Sequence, residues 1–486
     1  MKGNCLSVKE RLAIQRVAMP ELDPVERSGN FEEVNTGLSK DMAVTEARRC
    51  LQCKNAPCME GCPVQIDIPG FIAAMAEGDV SRSAEILQRD NALPAVCGRV
   101  CPQEVQCESR CVLGVKGTPV AIGYLERFAA DWALNYGLKP ARKILPGSSG
   151  KSVAVIGCGP AGLTAAAELA GKGHAVKIYE ALHDTGGVLR YGIPEFRLPK
   201  QIIDIEVSRV MSLGVEIECN VVVGKTIALQ TLRQEYDAVF IGNGAGLPVM
   251  LDIPGENAKG VYSANEYLTR VNLMGAGQSP DCATPIIRGR NVAVIGGGNT
   301  AMDCVRVARR LGAERAMLVY RRSEAEMPAR REEIKHAREE GIELVLLTAP
   351  VEILADATGW AAGLRCQKME LGEPDASGRR KPVPVPGEVF DVASDVVINA
   401  LGTRANPLLT ATEADLALNR WNNIETDSSG ATSLPRVFAG GDIVRGGATV
   451  ILAMGDGKKA ASAINALLTG DSSCQGQLPT AVSGSS

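Results

Sequence analysis

Histidine is scarce in this sequence, which holds only His174, His183 and His336 among its 486 residues. Aromatic residues make up 4% of the chain, and no apolar run reaches the roughly 18 residues that a membrane span requires. The first residues alternate charged and apolar side chains and lack the apolar core of a signal peptide. A net charge of −4 offers no excess of positive charge for nucleic acid. These absences argue against histidine-based catalysis and against membrane or nucleic-acid binding, and they predict a cytoplasmic location.

Cysteine, by contrast, is abundant, with 15 residues in the chain. Structural disulfides are rare in the cytosol, so these thiols need another explanation. Eight of them form two groups, C-x2-C-x4-C-x3-C-P at 50–63 and C-x3-C-P-x4-C-x3-C at 97–111. Such spacings suit [4Fe–4S] clusters, although four close thiolates also suit structural zinc. Because the motifs that follow indicate redox cofactors, and zinc carries no electrons, we favour iron–sulfur clusters.

The first of these motifs is a strand, a glycine turn, an alanine-rich helix and a second strand that ends in Glu180. Gly157 would form the tight turn, Gly159 would let a pyrophosphate approach the backbone, and Gly162 would let helix and strand pack closely. The helix N-terminus offers free N–H groups to the phosphates, and the Glu180 carboxylate suits the ribose hydroxyls. Cys158 lies within the turn, and we interpret it as a small filler. The pattern predicts a dinucleotide site.

A second glycine turn, GGGN at 296–299, repeats this architecture, but no acid ends its second strand. Arg321 and Arg322 stand there instead, and Arg330 follows shortly after. An arginine at this place suits the 2′-phosphate of NADPH, which a carboxylate would repel. The alternative is that these arginines form a solvated helix face. Their position directly after the strand favours NADPH over NADH.

Two nested nucleotide motifs resemble the two-dinucleotide flavoprotein fold. In such flavoproteins an aspartate matching Asp442 meets the ribityl–phosphate region of the flavin, and a helix that starts near Thr449 faces the flavin ring. The stretches VFIGNGAG and VINALGTRAN resemble the two crossovers between FAD and NADPH domains. The expected fold class is therefore α/β, with nested Rossmann-like FAD and NADPH domains after an α-helical iron–sulfur domain. The predicted boundaries are 1–146 for the iron–sulfur domain, 147–286 and 404–470 for the FAD domain, 287–403 for the NADPH domain and 471–486 for a flexible tail, with a linker at 138–151.

Seven stretches between about residue 30 and about residue 470 carry a more specific resemblance. They resemble the small subunit of glutamate synthase and its relatives, namely the large subunit of NADH-dependent ferredoxin:NADP oxidoreductase and the N-terminal half of dihydropyrimidine dehydrogenase. The stretches are CLQCKNAPCMEGCPV, CGRVCPQEVQCESRC, GCGPAGL, GGVLRYGIPEFRLPK, GGGNTAMDC, VYRRSEAEMPARREE and AGGDIVRGGATVILAMGDG. The preceding segment NTGLSKDMAVTEARRCLQC is closest in style to the ferredoxin:NADP oxidoreductase subunit.

The resemblance implies how two [4Fe–4S] clusters would be held. One cluster would take Cys50, Cys53, Cys58 and the carboxylate of Glu126. The other would take Cys62, Cys101, Cys107 and Cys111. Cys97 would then be a spare, buried thiol.

The resemblance also extends both nucleotide sites. For FAD it implies Gly157, Gly159, Pro160, Ala161, Gly162, Glu180, Gly187, Leu189, Arg190, Gly242, Asn243, Gly244, Gly441, Asp442, Ala448, Thr449 and Val450. For NADPH it implies Gly296, Gly297, Gly298, Asn299, Thr300, Asp303, Arg321, Arg322, Arg330, Ala400 and Gly402.

The expected activity is that of an NADPH-dependent flavin and iron–sulfur oxidoreductase that hands single electrons to a partner. A disulfide oxidoreductase would need a cysteine pair near the flavin motif, and none follows Cys158 at a useful spacing. The sequence holds no glutamine-hydrolysing or FMN-barrel domain. We therefore expect a subunit of a ferredoxin:NADP oxidoreductase, with a bifurcating reaction as one form. The alternatives are a glutamate synthase small subunit and an electron-entry module of a larger assembly.

Overall fold

The computed structural model describes residues 6–136, 148–277, 282–375 and 378–470. The predicted tail at 471–486, and most of the predicted linker at 138–151, lie outside the described residues. The described helices are α1 (Val8–Ala13), α2 (Pro24–Arg27), α3 (Lys40–Ala47), α4 (Pro57–Glu60), α5 (Ile68–Ala76), α6 (Val80–Asp90), α7 (Pro94–Val100), α8 (Ile122–Asn135), α9 (Pro160–Ala170), α10 (Val188–Tyr191), α11 (Lys200–Met211), α12 (Leu229–Glu235), α13 (Ala264–Asn272), α14 (Asn299–Arg310), α15 (Arg331–Glu339), α16 (Pro407–Thr410), α17 (Asp442–Arg445) and α18 (Val450–Thr469). The strands are β1 (Ser152–Ile156), β2 (Ala175–Tyr179), β3 (Glu216–Glu218), β4 (Ala238–Ile241), β5 (Leu247–Pro248), β6 (Val261–Ser263), β7 (Asn291–Ile295), β8 (Arg315–Tyr320), β9 (Glu343–Leu346), β10 (Thr348–Ala355), β11 (Ala361–Pro374), β12 (Arg380–Ala393), β13 (Val396–Asn399), β14 (Thr403–Arg404) and β15 (Val437–Ala439).

Helices α1 to α8 form the N-terminal domain. Side chains at the helix starts satisfy free backbone N–H groups, as at Asp67, which accepts from Gly70 N, and Asp79, which accepts from Arg82 N. The apolar faces of α5 to α8 meet in a core that includes the fully buried Phe71, Leu87 and Leu125. The three 3-10 helices Gln103–Val105, Glu108–Arg110 and Val112–Val115 connect α7 to α8, and Cys107 and Cys111 flank the second of them. The helical character of this domain is as predicted.

A five-stranded parallel sheet in the order β15-β4-β1-β2-β3 forms the first nucleotide-binding layer. Its central strands are buried on both faces, which explains their continuous apolar sequences. Helices α9 and α18 pack together beside it. Because β15 pairs with β4 after the chain has passed through the second sheet, this layer is split in sequence.

A second parallel sheet, β6-β13-β7-β8-β9, forms the other nucleotide-binding layer. It includes Val261–Ser263, and α13 packs into the same core through Tyr267 and Leu268. The predicted boundary at residue 287 is therefore too late, since the second layer already begins near residue 261. The run VYS is too short to be recognised as a strand without its partner β13.

Two smaller antiparallel sheets accompany the two parallel sheets. Strands β10, β11 and β12 form a three-stranded sheet that was not predicted from the sequence. Strands β5 and β14 pair where the chain leaves and re-enters the first layer, so the two predicted crossovers lie side by side. Among the described helices, none is long and apolar enough to cross a membrane.

Buried ion pairs join the N-terminal domain to the second layer. The Glu340 carboxylate accepts hydrogen bonds from the guanidinium groups of Arg306 and Arg310, at 2.7–3.0 Å, and from Nε of Arg27 at 3.2 Å. The side chains of Glu340, Arg306 and Arg310 have no exposed area, and that of Arg27 is 1% exposed. Because buried charges require partners, this cluster fixes the second layer against the N-terminal domain.

Candidate functional site

A cleft of about 700 Å³ opens between the two parallel sheets. Ligands in open α/β sheets bind in this position, beyond the carboxyl ends of the strands. Most of the residues predicted for FAD line it: Gly157, Gly159, Pro160, Ala161, Glu180, Gly187, Gly242, Asn243, Gly244, Asp442, Ala448, Thr449 and Val450. Other residues that line the cleft were not predicted from the sequence, including Tyr179, Tyr191, Val222, Asn406 and Leu408. Tyr191 lies within the GGVLRYGIPEFRLPK stretch, which was a signal that could have identified it.

The first glycine turn has the shape that a dinucleotide needs. Gly157 has φ +99°, and a Cβ there would lie 2.6 Å from the Gly242 carbonyl oxygen. A Cβ at Gly162 would lie 1.9 Å from the Gly157 carbonyl oxygen, so only glycine lets α9 approach β1 this closely. A Cβ at Gly159 would meet no atom within 4 Å. That open space at the start of α9 fits a pyrophosphate against the backbone N–H groups.

Two carboxylates lie at the ends of this half of the cleft. Glu180 accepts hydrogen bonds from the backbone N–H groups of Cys158 at 2.7 Å and Leu182 at 2.9 Å, which aims its carboxylate along the glycine turn. Burial raises the pKa of Glu180, and the two N–H groups oppose that rise. Asp442 accepts from Ala448 N at 3.2 Å, and burial raises the pKa of its carboxyl to about 6. Both positions fit the predicted contacts with ribose and ribityl groups.

Besides Gly162, three residues predicted for FAD do not line the cleft. Leu189 is fully buried in the hydrophobic core. Arg190 is buried because its guanidinium pairs with Asp184 and Asp204, away from the cleft. Gly441 packs against α18 and donates its N–H to Asp456 at 3.1 Å. The structure therefore gives these residues supporting positions, and Gly162 likewise acts through packing.

The second glycine turn faces the same cleft from the other sheet. Asn299, Thr300 and Asp303, at the start of α14, line the cleft. Both carboxylate oxygens of Asp303 accept from the Arg197 guanidinium at 2.8 Å, within a buried pair. Arg197 also lines the cleft and was not predicted from the sequence. The glycines behind Asn299 shape the turn, since a Cβ at Gly296 would lie 2.6 Å from the Ala400 carbonyl oxygen.

The predicted 2′-phosphate arginines separate into different roles. Arg321 is exposed at the end of β8. Arg322 is buried because it donates to Asp375 at 2.6 Å and to the Arg380 carbonyl at 2.8 Å. Its guanidinium is thus occupied by the β10–β12 sheet, so this structure does not leave it free for the predicted phosphate contact.

Arg330 also departs from the prediction. Its guanidinium donates to the carbonyl of Arg99 at 2.8 Å, to Gln103 at 3.1 Å and to Glu332 at 2.8 Å. It is 6% exposed and therefore not free to reach a coenzyme phosphate. It joins the second layer to the N-terminal domain because α15 starts against α7, a contact that no local sequence pattern reveals.

The cysteines form two cages in the N-terminal domain. The outer cage comprises Cys50, Cys53, Cys58 and Cys111, which line one cavity and are half-buried. The inner cage comprises Cys62, Cys101, Cys107 and Glu126, which line a second cavity and are each at most 8% exposed.

This partition corrects the predicted one, because Cys111 and Glu126 exchange places. The Glu108–Arg110 helical turn separates Cys107 from Cys111, so one thiol faces the inner cage and the other faces outward. Helix α8 runs through the domain core and carries Glu126 beside Cys101 and Cys107. Chain spacing alone could not distinguish the two sides of this turn.

Glu126 has the surroundings of a ligand rather than of a paired carboxylate. Its carboxylate accepts one hydrogen bond, from Asn91 Nδ2 at 2.8 Å, and burial raises its pKa to about 8. Burying a charged carboxylate that has only one neutral hydrogen-bond partner costs free energy unless a positive group compensates its charge. The iron of a cluster would supply that positive charge. Cys97 is fully buried with its Sγ 3.5 Å from the Met454 sulfur and does not line either cage.

The spread of the sulfur atoms bears on the choice of metal. Tetrahedral zinc, with Zn–S bonds of about 2.3 Å, would bring four sulfurs within about 3.8 Å of one another. Among the described residues, only Glu21, His336 and Glu339 place three ligand atoms within 4.8 Å of each other. Those carboxylates already pair with Arg27 and Lys335. The cysteine cages are wider than a single zinc ion needs, so they fit a polynuclear cluster better.

The inner cage adjoins the cleft. Gln106 donates to Thr449 Oγ1 at 3.4 Å, at the N-terminus of α18, and Ile451 of α18 lines the inner cage. Val100 and Pro102, on either side of Cys101, line the cleft itself. Helix α4 links the two cages, because Cys58 within it lines the outer cage and Cys62, two residues after its end, lines the inner cage. The order in space is therefore cleft, inner cage, outer cage and solvent.

Comparison with known families fits this arrangement. Residues 27–138 match the family described as "Dihydropyrimidine dehydrogenase domain II, 4Fe-4S cluster". Residues 151–457 match the family "Pyridine nucleotide-disulphide oxidoreductase". These matches coincide with the cage-bearing domain and the two nucleotide layers. They define an oxidoreductase in which an iron–sulfur domain precedes a two-dinucleotide flavoprotein fold, as predicted.

Individual relatives refine the class. The glutamate synthase [NADPH] small chain of Escherichia coli (strain K12) is 38% identical over 94% of this chain and 98% of its own length. The NADPH-Fe(3+) oxidoreductase subunit beta of Geobacter sulfurreducens is 37% identical over 93% of this chain and 69% of its own length. The solved structure of Mycobacterium tuberculosis FprA in complex with NADPH has a TM-score of 0.56 at 21% identity, over 66% of this chain and 85% of its own, and supports the fold.

The chain belongs to the glutamate synthase small-chain family of flavin and iron–sulfur oxidoreductases. The family name mentions disulphides, and the thiol within the first glycine turn is that of Cys158. Cys158 is fully buried, and burial raises the pKa of its thiol to about 12.

Proposed function

We propose that this chain is an NADPH-oxidising electron-transfer subunit that holds FAD and two [4Fe–4S] clusters. The observation that carries the proposal is the spatial order of cleft, inner cage, outer cage and solvent. When bound, FAD accepts a hydride as an electron pair, and the clusters carry single electrons onward. The protein supplies binding and placement, which fits the shortage of histidine.

Each half of the cleft has its own task. The turn at Gly157 and Gly159 would bind the FAD pyrophosphate at the start of α9, and Glu180 would accept from ribose hydroxyls. The longest described helix, α18, begins at Val450 after its N-cap Thr449, and both residues line the cleft. The positive N-terminal end of the dipole of α18 would therefore face the flavin. On the opposite wall, Asn299 and Thr300 would hold the nicotinamide coenzyme.

We propose NADPH as the coenzyme because β8 ends in an exposed arginine and carries no acid there. Arg321 can form charge-assisted hydrogen bonds with a 2′-phosphate. The relatives from Escherichia coli and Geobacter sulfurreducens carry NADPH in their names, and FprA was solved with NADPH.

In the cages, Cys50, Cys53, Cys58 and Cys111 would hold the outer cluster. Cys62, Cys101, Cys107 and Glu126 would hold the inner one. An oxygen ligand on one cluster changes its charge and donor softness, and so sets its potential apart from that of an all-cysteine cluster.

The role that we place first is that of the NADPH- and FAD-binding subunit of a ferredoxin:NADP oxidoreductase, on the likeness of the segment NTGLSKDMAVTEARRCLQC. A glutamate synthase small subunit is the second candidate, because the chain matches 98% of such a small chain. The Geobacter relative is named a beta subunit, which favours a partner subunit in either case.

The test is the native mass of the complex recovered when the tagged chain is purified from its own cells, with each partner identified. A small reductase-like partner that carries a second flavin would support the first role, and a much larger amidotransferase would support the second. Purification of the chain alone, without any redox partner, would contradict both.

A further inference from the structure

The two cages differ in their access to solvent. The inner-cage cysteines are 5–8% exposed, whereas all four outer-cage cysteines are half-buried. Because electron transfer between proteins needs a redox centre close to the surface, the outer cage is where electrons would leave this chain. The surrounding surface should then show which kind of partner receives them.

That surface combines exposed valines with positive charge. We call it the exit face and define it by Lys54, Arg110, Val112, Val115 and Lys116. Val112 is 44% exposed and Val115 is 79% exposed, and Arg110 and Val112 also line the outer cage. Lys54 lies between Cys53 and Cys58 in the chain, and Lys116 follows the helical turn that carries both valines.

Positive charge predominates on this face. Lys54, Arg110 and Lys116 are exposed, and none forms an ion pair within the described ranges 6–136, 148–277, 282–375 and 378–470. The same two segments, 50–60 and 109–118, expose a single acid, Glu60. The chain as a whole has a net charge of −4, so a basic face around the outer cage departs from the rest of the molecule.

We propose that the exit face docks an acidic one-electron carrier protein whose own contact surface has an apolar centre. This rests on the proposed function, because it assumes an iron–sulfur cluster in the outer cage. Positive side chains around exposed valines match the usual interface pattern of an apolar centre with a charged rim, and the rim charges steer association. Each carrier molecule accepts one electron, so the hydride of one NADPH reduces two oxidised carriers and releases one proton.

A second copy of this chain is a less suitable occupant. Two identical basic faces would meet in a twofold contact with like charges opposed, and such juxtaposition is costly. A carrier of net negative charge avoids that repulsion.

The test measures binding separately from turnover. An acidic [2Fe–2S] ferredoxin serves as the probe, and its Kd for the oxidised holoprotein is measured by calorimetry across ionic strengths. The variant Lys54→Glu/Lys116→Glu reverses charge on the exit face. The variant Lys172→Glu/Lys225→Glu makes the same change at exposed positions of the FAD domain.

We expect the exit-face variant to bind the probe about 10-fold or more weakly at low ionic strength, and the difference to vanish at high salt. The FAD-domain variant should stay within about 2-fold of wild type. Reduction of neutral benzoquinone by NADPH, and the electron paramagnetic resonance spectra of the clusters, should be the same in all three proteins. A Val112→Ser/Val115→Ser variant should weaken binding without changing its salt dependence.

Three results would overturn the docking proposal. The first is equal weakening in both charge-reversal variants. The second is no probe binding by a wild type that still reduces benzoquinone with NADPH. The third is a wild-type dimer that the exit-face variant converts to monomer, since the face would then join two copies. Loss of benzoquinone reduction in wild type, with probe binding intact, would instead contradict the proposed function.

Discussion

Coenzyme selection should depend on Arg321 and much less on its neighbour Arg322. Arg321 is exposed at the end of β8, whereas Arg322 donates 2.6 and 2.8 Å hydrogen bonds to Asp375 and to the Arg380 carbonyl. A charge-assisted hydrogen bond to a phosphate contributes roughly 1.5–3 kcal/mol. Arg321→Ala should therefore weaken NADPH binding about 10- to 100-fold. NADH binding should barely change, because NADH has no 2′-phosphate.

Arg322→Ala provides the matched control. It removes the same charge one residue away, but the lost partners are Asp375 and a carbonyl oxygen on the β10–β12 sheet. We expect lower thermal stability and an effect of similar size on NADPH and NADH. The assay is anaerobic stopped-flow reduction of the flavin by each coenzyme, which gives an apparent Kd for every pair of protein and coenzyme. Equal losses for both coenzymes in Arg321→Ala, or a wild type that prefers NADH, would refute the reasoning.

Three further predictions concern the cages, the thiols and the buried charges. Cys111→Ser should alter the spectrum or potential of the all-cysteine cluster, and Glu126→Ala should alter that of the other cluster. A redox titration should therefore show the two variants changing two different cluster signals, and a change in the same signal for both would contradict the assignment of ligands to cages. Alkylation of accessible thiols in the cluster-loaded protein should leave NADPH-to-dye activity largely unchanged, whereas stoichiometric loss through Cys158 would indicate disulfide chemistry. Glu340→Gln should lower the free energy of unfolding by about 3–5 kcal/mol near pH 7, because three buried guanidinium groups lose their shared carboxylate. Burial would raise the pKa of Glu340, but Arg306 and Arg310 hold it down at about 2. The contribution of Glu340 is therefore complete above the unfolded pKa near 4.5 and falls as the pH drops toward 2, and a stability difference between the proteins that grows as the pH falls would contradict this.

Much of the nucleotide-binding fold could be predicted because its signals are local. The runs SVAVIG, AVKIYE, DAVFIG, NVAVIG, AMLVYR and DVVINALG all form buried parallel strands. Apolar, β-branched runs bounded by glycine turns have few other uses in a chain of this length. The glycine positions followed from steric need, as the 1.9 Å contact at Gly162 shows.

The structure differs from the predictions where long-range contacts decide a residue's role. Arg322 and Arg330 have a side chain and a position in the sequence that suit a phosphate contact. In the structure, however, the guanidinium of Arg322 donates to Asp375 and that of Arg330 donates to a backbone carbonyl of α7. Cys111 and Glu126 exchanged cages because one helical turn reverses the side that a thiol faces. The strand Val261–Ser263 is defined only by pairing with β13, so the domain boundary could not be placed from its sequence.

The most direct test of the account is a metal and electron count on the purified holoprotein. We predict one FAD and about eight iron and eight sulfide per chain, as two [4Fe–4S] clusters require. In an anaerobic titration, NADPH should bleach the flavin absorbance, and dithionite should then produce the signals of both reduced clusters. An iron content near zero, with about two zinc ions per chain and no cluster signal after dithionite, would contradict the central claim that the cages carry electrons.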